Sequence, residues 1–268
     1  KREGILKAKL SVTRYFDENS VLAVYSNNDI LGTQNLEERG IKGHLLRVGT
    51  EPDCDFIISN ITDRGADGIE FSLTYEQKTY NIKLGIPGAH NAVNGSLAIA
   101  IGVSYGLTME EAVKGLENAV ITEHRLDVKE TRGIKIIDDS YNASLESITS
   151  SLELMRCFCG RRCAVLGDIH ELGAQTESIH FKVGAEAARL GVELLFLHSV
   201  YSPFVKKGAV LSGMSGSSIF SNTDPSDLQS TLAFIKLNTA PGDVILFKAS
   251  HACRFDALIN KLISEEDT

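Results

Sequence analysis

The chain has 268 residues, 43% hydrophobic and 23% charged, an ordinary composition for a folded protein. This excludes a disordered chain, a collagen-like fibre and a disulfide scaffold, and the length suggests about two domains. With 27 Lys and Arg against 35 Asp and Glu, the net charge of -8 lacks the basic footprint of a nucleic-acid binder or a membrane-surface protein.

The first residues, Lys1-Arg2-Glu3-Gly4, read as the middle of something longer, neither a signal peptide nor an initiator methionine. Strand-like runs follow at Val21–Tyr25, His44–Val48, Phe56–Ile61, Ile69–Tyr75 and Tyr80–Leu84. The last two alternate as half-buried strands do, and Glu76-Gln77-Lys78 joins them as a hairpin loop. Asn27-Asn28-Asp29 and Asp63-Arg64-Gly65 carry turn chemistry. After Gly85-Ile86-Pro87-Gly88 the pattern becomes helical over Asn91–Tyr105, closed by Gly106. Thr108 and Glu111 form a capping box for a second helix from Met109 to about Ala119.

Beyond a boundary near 122–126 the chain alternates. Strands are expected at Ile134–Ile137, Ala164–Leu166, Leu194–Leu197 and Val244–Phe247, separated by helices near Leu145–Arg156, Ser178–Leu190 and Ser226–Leu237. Asp224 and Pro225 serve as N-cap and first turn of the last helix. This is an α/β pattern, strand-rich and then two-helix, followed by a mainly parallel sheet covered on both faces. No apolar run approaches the roughly 18 residues of a membrane span. Five cysteines in a chain this long fit a reducing cytoplasm. Cys157, Cys159 and Cys163 are clustered, but C-x-C-x3-C is not the paired spacing of structural zinc sites, and buried or incidental thiols are the plainer account.

No Walker loop, dinucleotide fingerprint, G-x-S-x-G or H-E-x-x-H occurs. The chemistry must lie in polar segments at element ends. Asn91 and Asn94, after Gly88, His90 and a tight backbone, share a helix face and suit the edge of a purine; equally, Asn91 caps the helix. Asp138-Asp139-Ser140-Tyr141-Asn142 follows an apolar strand, where the two acids serve a ribose or a metal, or a turn and cap. Gly167-Asp168-Ile169-His170-Glu171-Leu172-Gly173 and Lys248-Ala249-Ser250-His251 follow two further strands, as binding loops or solvated caps. Arg125 reaches an anionic phosphate or is a surface charge, and His180 reads as structural or exposed.

In order, Lys7-Ala8-Lys9, Gly88–Asn94, His124-Arg125-Leu126, Asp138–Ala143 and Leu166–Gly173 resemble the Mur ligase family, in its D-alanyl-D-alanine-adding (MurF-type) branch. The resemblance implies part of a central ATPase domain over residues 1–123 and a Rossmann-like C-terminal domain over 124–268. It implies an ATP-dependent ligase that joins D-alanyl-D-alanine to a UDP-muramoyl peptide in peptidoglycan synthesis, with Mg2+ and through an acyl phosphate. Such a transition state needs cations at the phosphoryl oxygens. By resemblance, Lys9 is catalytic and, carbamylated, a magnesium ligand, and Arg125 is catalytic. His90, Asn91, Asn94, Arg125, Asp139, Tyr141 and Asn142 meet the nucleotide. Asp168, Glu171, Lys248, Ser250 and His251 face the dipeptide. His251 stands where the family often has arginine, and Ser144 where asparagine is common. Two other readings stand beside this one: a sister ligase adding another amino acid, and a non-catalytic nucleotide-binding module. The ligase reading expects the isolated chain to be inactive, since the Gly-rich ATP loop is not in it.

Overall fold

In the computed structural model, which describes residues 2–27, 40–119 and 124–264, the chain divides into two units, Lys1–Val120 and Ile121–Thr268. In the first, helix α1 (Arg2–Lys9) runs into a 3-10 helix over Leu10–Tyr15. Five strands then form one sheet in chain order: β1 (Val21–Tyr25), β2 (His44–Gly49), β3 (Phe56–Asp63), β4 (Ile69–Tyr75) and β5 (Lys78–Leu84). The first three are parallel, and β4 and β5 add antiparallel.

Alternation explains its sidedness. Ile69, Phe71 and Leu73 of β4 and Ile82 and Leu84 of β5 are buried under α2 (His90–Ser104) and α3 (Met109–Glu117). On the other face Lys83 pairs with Glu70 at 3.3 Å and Thr74 meets Thr79 at 3.0 Å, the cross-strand pairing a wet face favours. The hairpin loop is one residue shorter than expected, because Lys78 pairs with Tyr75. Glu76 and Gln77 both adopt positive φ (46° and 64°), the pattern of a two-residue turn matched to strand twist. The capping box of Thr108 and Glu111 is present. Of the first expected turn, Asn28 and Asp29 lie outside the described residues.

The second unit is a six-stranded sheet in the order β10-β9-β8-β11-β7-β6. The strands are β6 (Asp127–Thr131), β7 (Ile134–Asp138), β8 (Arg162–Gly167), β9 (Leu194–His198), β10 (Ile219–Asn222) and β11 (Val244–Lys248). All neighbours are parallel except the edge pair β6–β7. Side chains alternate between two cores. Ala164, Leu166, Val244 and Leu246 pack under α4 (Leu145–Leu154), α5 (Thr176–Arg189) and α6 (Ser202–Leu211). Cys163, Val165, Ile245 and Phe247 pack under α7 (Leu228–Asn238) and α8 (Phe255–Ser264). A sheet buried on both faces explains its continuous apolar strands.

Two expectations need correction. Asp224 and Pro225 do not cap α7: Asp224 turns the chain by accepting from Ser226, and Asp227 is the cap, accepting from the Ser230 N–H at 3.0 Å. The α-helical part of α4 stops at Leu154, and a 3-10 turn carries the chain to Cys157. The clustered cysteines do not converge. Cys157 and Cys159 are exposed, whereas Cys163 is buried in β8, where burial pushes its thiol up to about 12. Among the described residues no helix is long and apolar enough to cross a membrane.

Candidate active site

Three of the four polar segments follow β7, β8 and β11, at the carboxyl ends of neighbouring central strands, where an open parallel sheet leaves room for a ligand. Glycine brings two of these ends together. A Cβ on Gly167 would lie 2.7 Å from the Ala249 methyl and 2.9 Å from the Phe255 ring.

The consecutive acids face different partners. Asp138, fully buried, accepts from Nδ1 of His124 at 2.7 Å and from the Ser140 hydroxyl at 2.7 Å. Asp139 turns toward β11: its Oδ2 lies 2.6 Å from Nζ of Lys248 and accepts from Ser151 Oγ at 2.6 Å. Lys248 also donates to the carbonyls of Asp139 (3.2 Å) and Asn142 (2.8 Å). Each of its three donors thus has a partner within the protein. Burial pulls the Lys248 ammonium below the ordinary lysine value; the Asp139 carboxylate opposes this, and the nearby Arg125 charge adds to it.

On the outer side of this bracket, the Arg125 guanidinium lies 4.1 Å above the Tyr141 ring. The His251 ring meets Tyr141 edge-on at 6.1 Å. Arg125, Tyr141, Asn142 and His251 are all exposed. A permanent cation on an aromatic face, beside an amide and an imidazole, has the donor chemistry for an anionic ligand.

The neighbouring loop is tied in by its backbone. The Asp168 carbonyl accepts from the Ser250 N–H at 3.0 Å, and Ser250 Oγ accepts from the His170 N–H at 3.0 Å. The buried Asp168 carboxylate takes the hydroxyl of Ser199, at the end of β9. Glu171 is exposed in a left-handed conformation, φ 64°. His180 is buried and structural: Nδ1 donates to the Thr176 carbonyl at 2.7 Å and Nε2 accepts from the Ile169 N–H at 3.2 Å. These partners fix a neutral tautomer.

In the first unit, Asn91 donates to the Pro87 carbonyl at 2.7 Å and accepts from Asn94 at 3.0 Å, so the two amides do share a face. Asn91 is not the cap, because α2 begins at His90 with Ala89 in that position. Lys9 is exposed in the last turn of α1.

The second unit therefore gathers Arg125, Asp139, Tyr141, Asn142, Lys248 and His251 around β7 and β11, with Asp168 and Ser250 joined to them through the loop after β8. His90, Asn91, Asn94 and Lys9 belong to the first unit. The exposed donors of the second unit fit a phosphate-bearing group. A magnesium set does not assemble: among the described residues no group of three or more His, Cys, Asp or Glu is placed to hold a metal ion. Ser151, Ser199 and the His124–Asp138 pair were not assigned from sequence. Ser199 carries the one usable signal, its position just past a strand.

Fold and rim together define an α/β domain with a largely parallel sheet and a polar rim at its strand ends. Residues 124–251 match the family described as Mur ligase, glutamate ligase domain, and the chain belongs to the Mur ligase family. It is 31% identical over 265 residues to the UDP-N-acetylmuramoyl-tripeptide–D-alanyl-D-alanine ligase of Bacillus subtilis, covering 98% of this chain and 55% of that protein. The Escherichia coli ligase of the same name is 31% identical over 71% of this chain and 42% of its own length. The chain thus spans about half the length of the curated relatives it matches. A crystal structure of MurF from Acinetobacter baumannii shares the fold, with a TM-score of 0.84 at 23% identity over 98% of this chain and 55% of the other. A MurF ligase from Thermotoga maritima, solved in complex with ADP, gives 0.77 at 21% identity over 98% and 57%.

Proposed function

We propose that this chain forms the later part of an ATP-dependent ligase that joins D-alanyl-D-alanine to a UDP-muramoyl-tripeptide in peptidoglycan synthesis. In this reading residues 1–123 complete a central ATP-binding domain and 124–268 form the Rossmann-like C-terminal domain. The observation that carries it is the Arg125–Tyr141–Asn142 surface, set at a strand-end rim in a chain that matches ligases of this name over nearly all its residues. ATP supplies the phosphoryl group that activates the substrate carboxylate before the amine attacks.

The chain's own residues would divide the work. Arg125 stabilises negative charge on the phosphates without needing a proton, and Tyr141 holds its guanidinium in place. Asp139 and Asn142 offer hydrogen bonds to the nucleoside. Glu171 and His251 form the face toward the dipeptide, and the buried Asp168 and Ser250 fix the loop beneath it. Lys248, with its donors engaged inside, serves that face by fixing the loop behind it. Lys9, if carbamylated, would be one oxygen ligand of Mg2+. A cytoplasmic location follows from the proposed nucleotide substrates.

The test is phosphate release by the full-length protein containing this chain. Turnover that requires ATP, the UDP-muramoyl-tripeptide and D-alanyl-D-alanine together, and falls at least about a hundredfold in Arg125→Ala, is expected. Turnover with a single amino acid and not the dipeptide would assign a sister ligase. ADP binding without turnover on any acceptor would leave only a nucleotide-binding module.

A further inference from the structure

Arg125 sits between two non-glycine residues in the left-handed region, His124 at φ 63° and Leu126 at φ 56°. Such backbone persists only where the surroundings over-determine it. Leu126 is secured by burial in the core beneath α4. His124 is secured twice. Its carbonyl accepts from the Tyr141 N–H at 3.0 Å, and its Nδ1 lies 2.7 Å from Oδ2 of Asp138. The other Asp138 oxygen already accepts from the hydroxyl and the N–H of Ser140, at 2.7 and 3.2 Å. A carboxylate so occupied can only accept from the imidazole, so Nδ1 carries the proton. One ammonium, of Lys129, stands 3.8 Å from the same oxygen.

We infer that His124, fastened by the buried Asp138 carboxylate, is a positioning residue that sets Arg125 over the Tyr141 ring. The two contacts of His124 join the residue before Arg125 to both ends of the segment that presents Tyr141. Without the imidazole bridge, the backbone turn that aims the guanidinium loses its anchor on β7. The inference deepens the ligase reading, resting on it only for the ligand that Arg125 would meet.

The 268-residue chain suffices for the test. Arg125 side-chain protons above the Tyr141 ring carry an upfield NMR shift, identified by its disappearance in Arg125→Lys and Tyr141→Leu. The shift should vanish in His124→Leu. It should survive in His124→Asn, whose amide nitrogen replaces Nδ1 and whose residue type tolerates positive φ. In an ADP titration followed by the same spectra, His124→Leu should bind about tenfold more weakly and His124→Asn within about threefold of the parent. An unchanged Arg125 signal in His124→Leu would overturn the inference. If that variant does not fold, Asp138→Asn asks the same question: loss of the shift supports the bridge and its retention defeats it. Failure of the ligase reading would show instead as absent turnover in the full-length protein, because the ring-current result needs no nucleotide.

Discussion

Lys248 carries a charge to a place where only 3% of the residue is exposed, and there it meets one carboxylate and two carbonyls. Removing one partner of such a pair leaves the other charge buried, which is the costly change; replacing both with apolar groups is often neutral. Lys248→Met should therefore lower stability by about 3 kcal/mol in urea unfolding, and Lys248→Met with Asp139→Leu should recover most of it. A single variant as stable as the parent would dismiss the bracket. At this scale the sequence revealed which positions lie at the rim, because strand ends are legible from apolar runs followed by polar residues. It did not reveal which way each side chain turns. Asp138 and Asp139 are identical neighbours, yet one is sealed beneath His124 and the other bridges to β11, a choice made by partners 14 and about 110 residues away in the chain.

Helices α5 and α6 cross with almost nothing between them. A Cβ on Gly184 would come within 1.8 Å of the Val205 carbonyl oxygen, and one on Gly208 within 1.9 Å of that of Phe181. Both obstacles are backbone, so neither can swing aside. Gly184→Ala should destabilise by about 1–3 kcal/mol as the helices are forced apart, read as a lower urea midpoint. Preserved stability would mean that the crossing can open freely. Elements with strong local signals were legible: β1 and β4 match their apolar runs, and the helix capped by Thr108 starts where cap chemistry puts it. Elements without such signals were not. β10 is only Ile219–Asn222, β6 is a polar edge strand, and α6 is a short helix rich in small residues. The cap of α7 moved to Asp227 because Asp224 spends its carboxylate on Ser226, whose hydroxyl and N–H both reach it.

Each unit has a core of its own, the second with one on either face of its sheet. Residues 121–268 expressed alone should consequently show one cooperative urea transition by circular dichroism. A gradual, non-cooperative loss of signal would refute their independence. That the chain holds two units was legible from the switch between an alternating strand-rich pattern and a strand-helix one. The parallel pairing of β1, β2 and β3 was not, since parallel partners leave no hairpin turn in the sequence. One detail of strand order reaches beyond the finished molecule. β11, the last of the described strands in chain order, slots between β8 and β7. On the ribosome, the growing polypeptide must wait with two inner edges unpaired until β11 emerges. A stop codon at position 244 would remove the keystone of the sheet, leaving the product a target for aggregation and proteolysis.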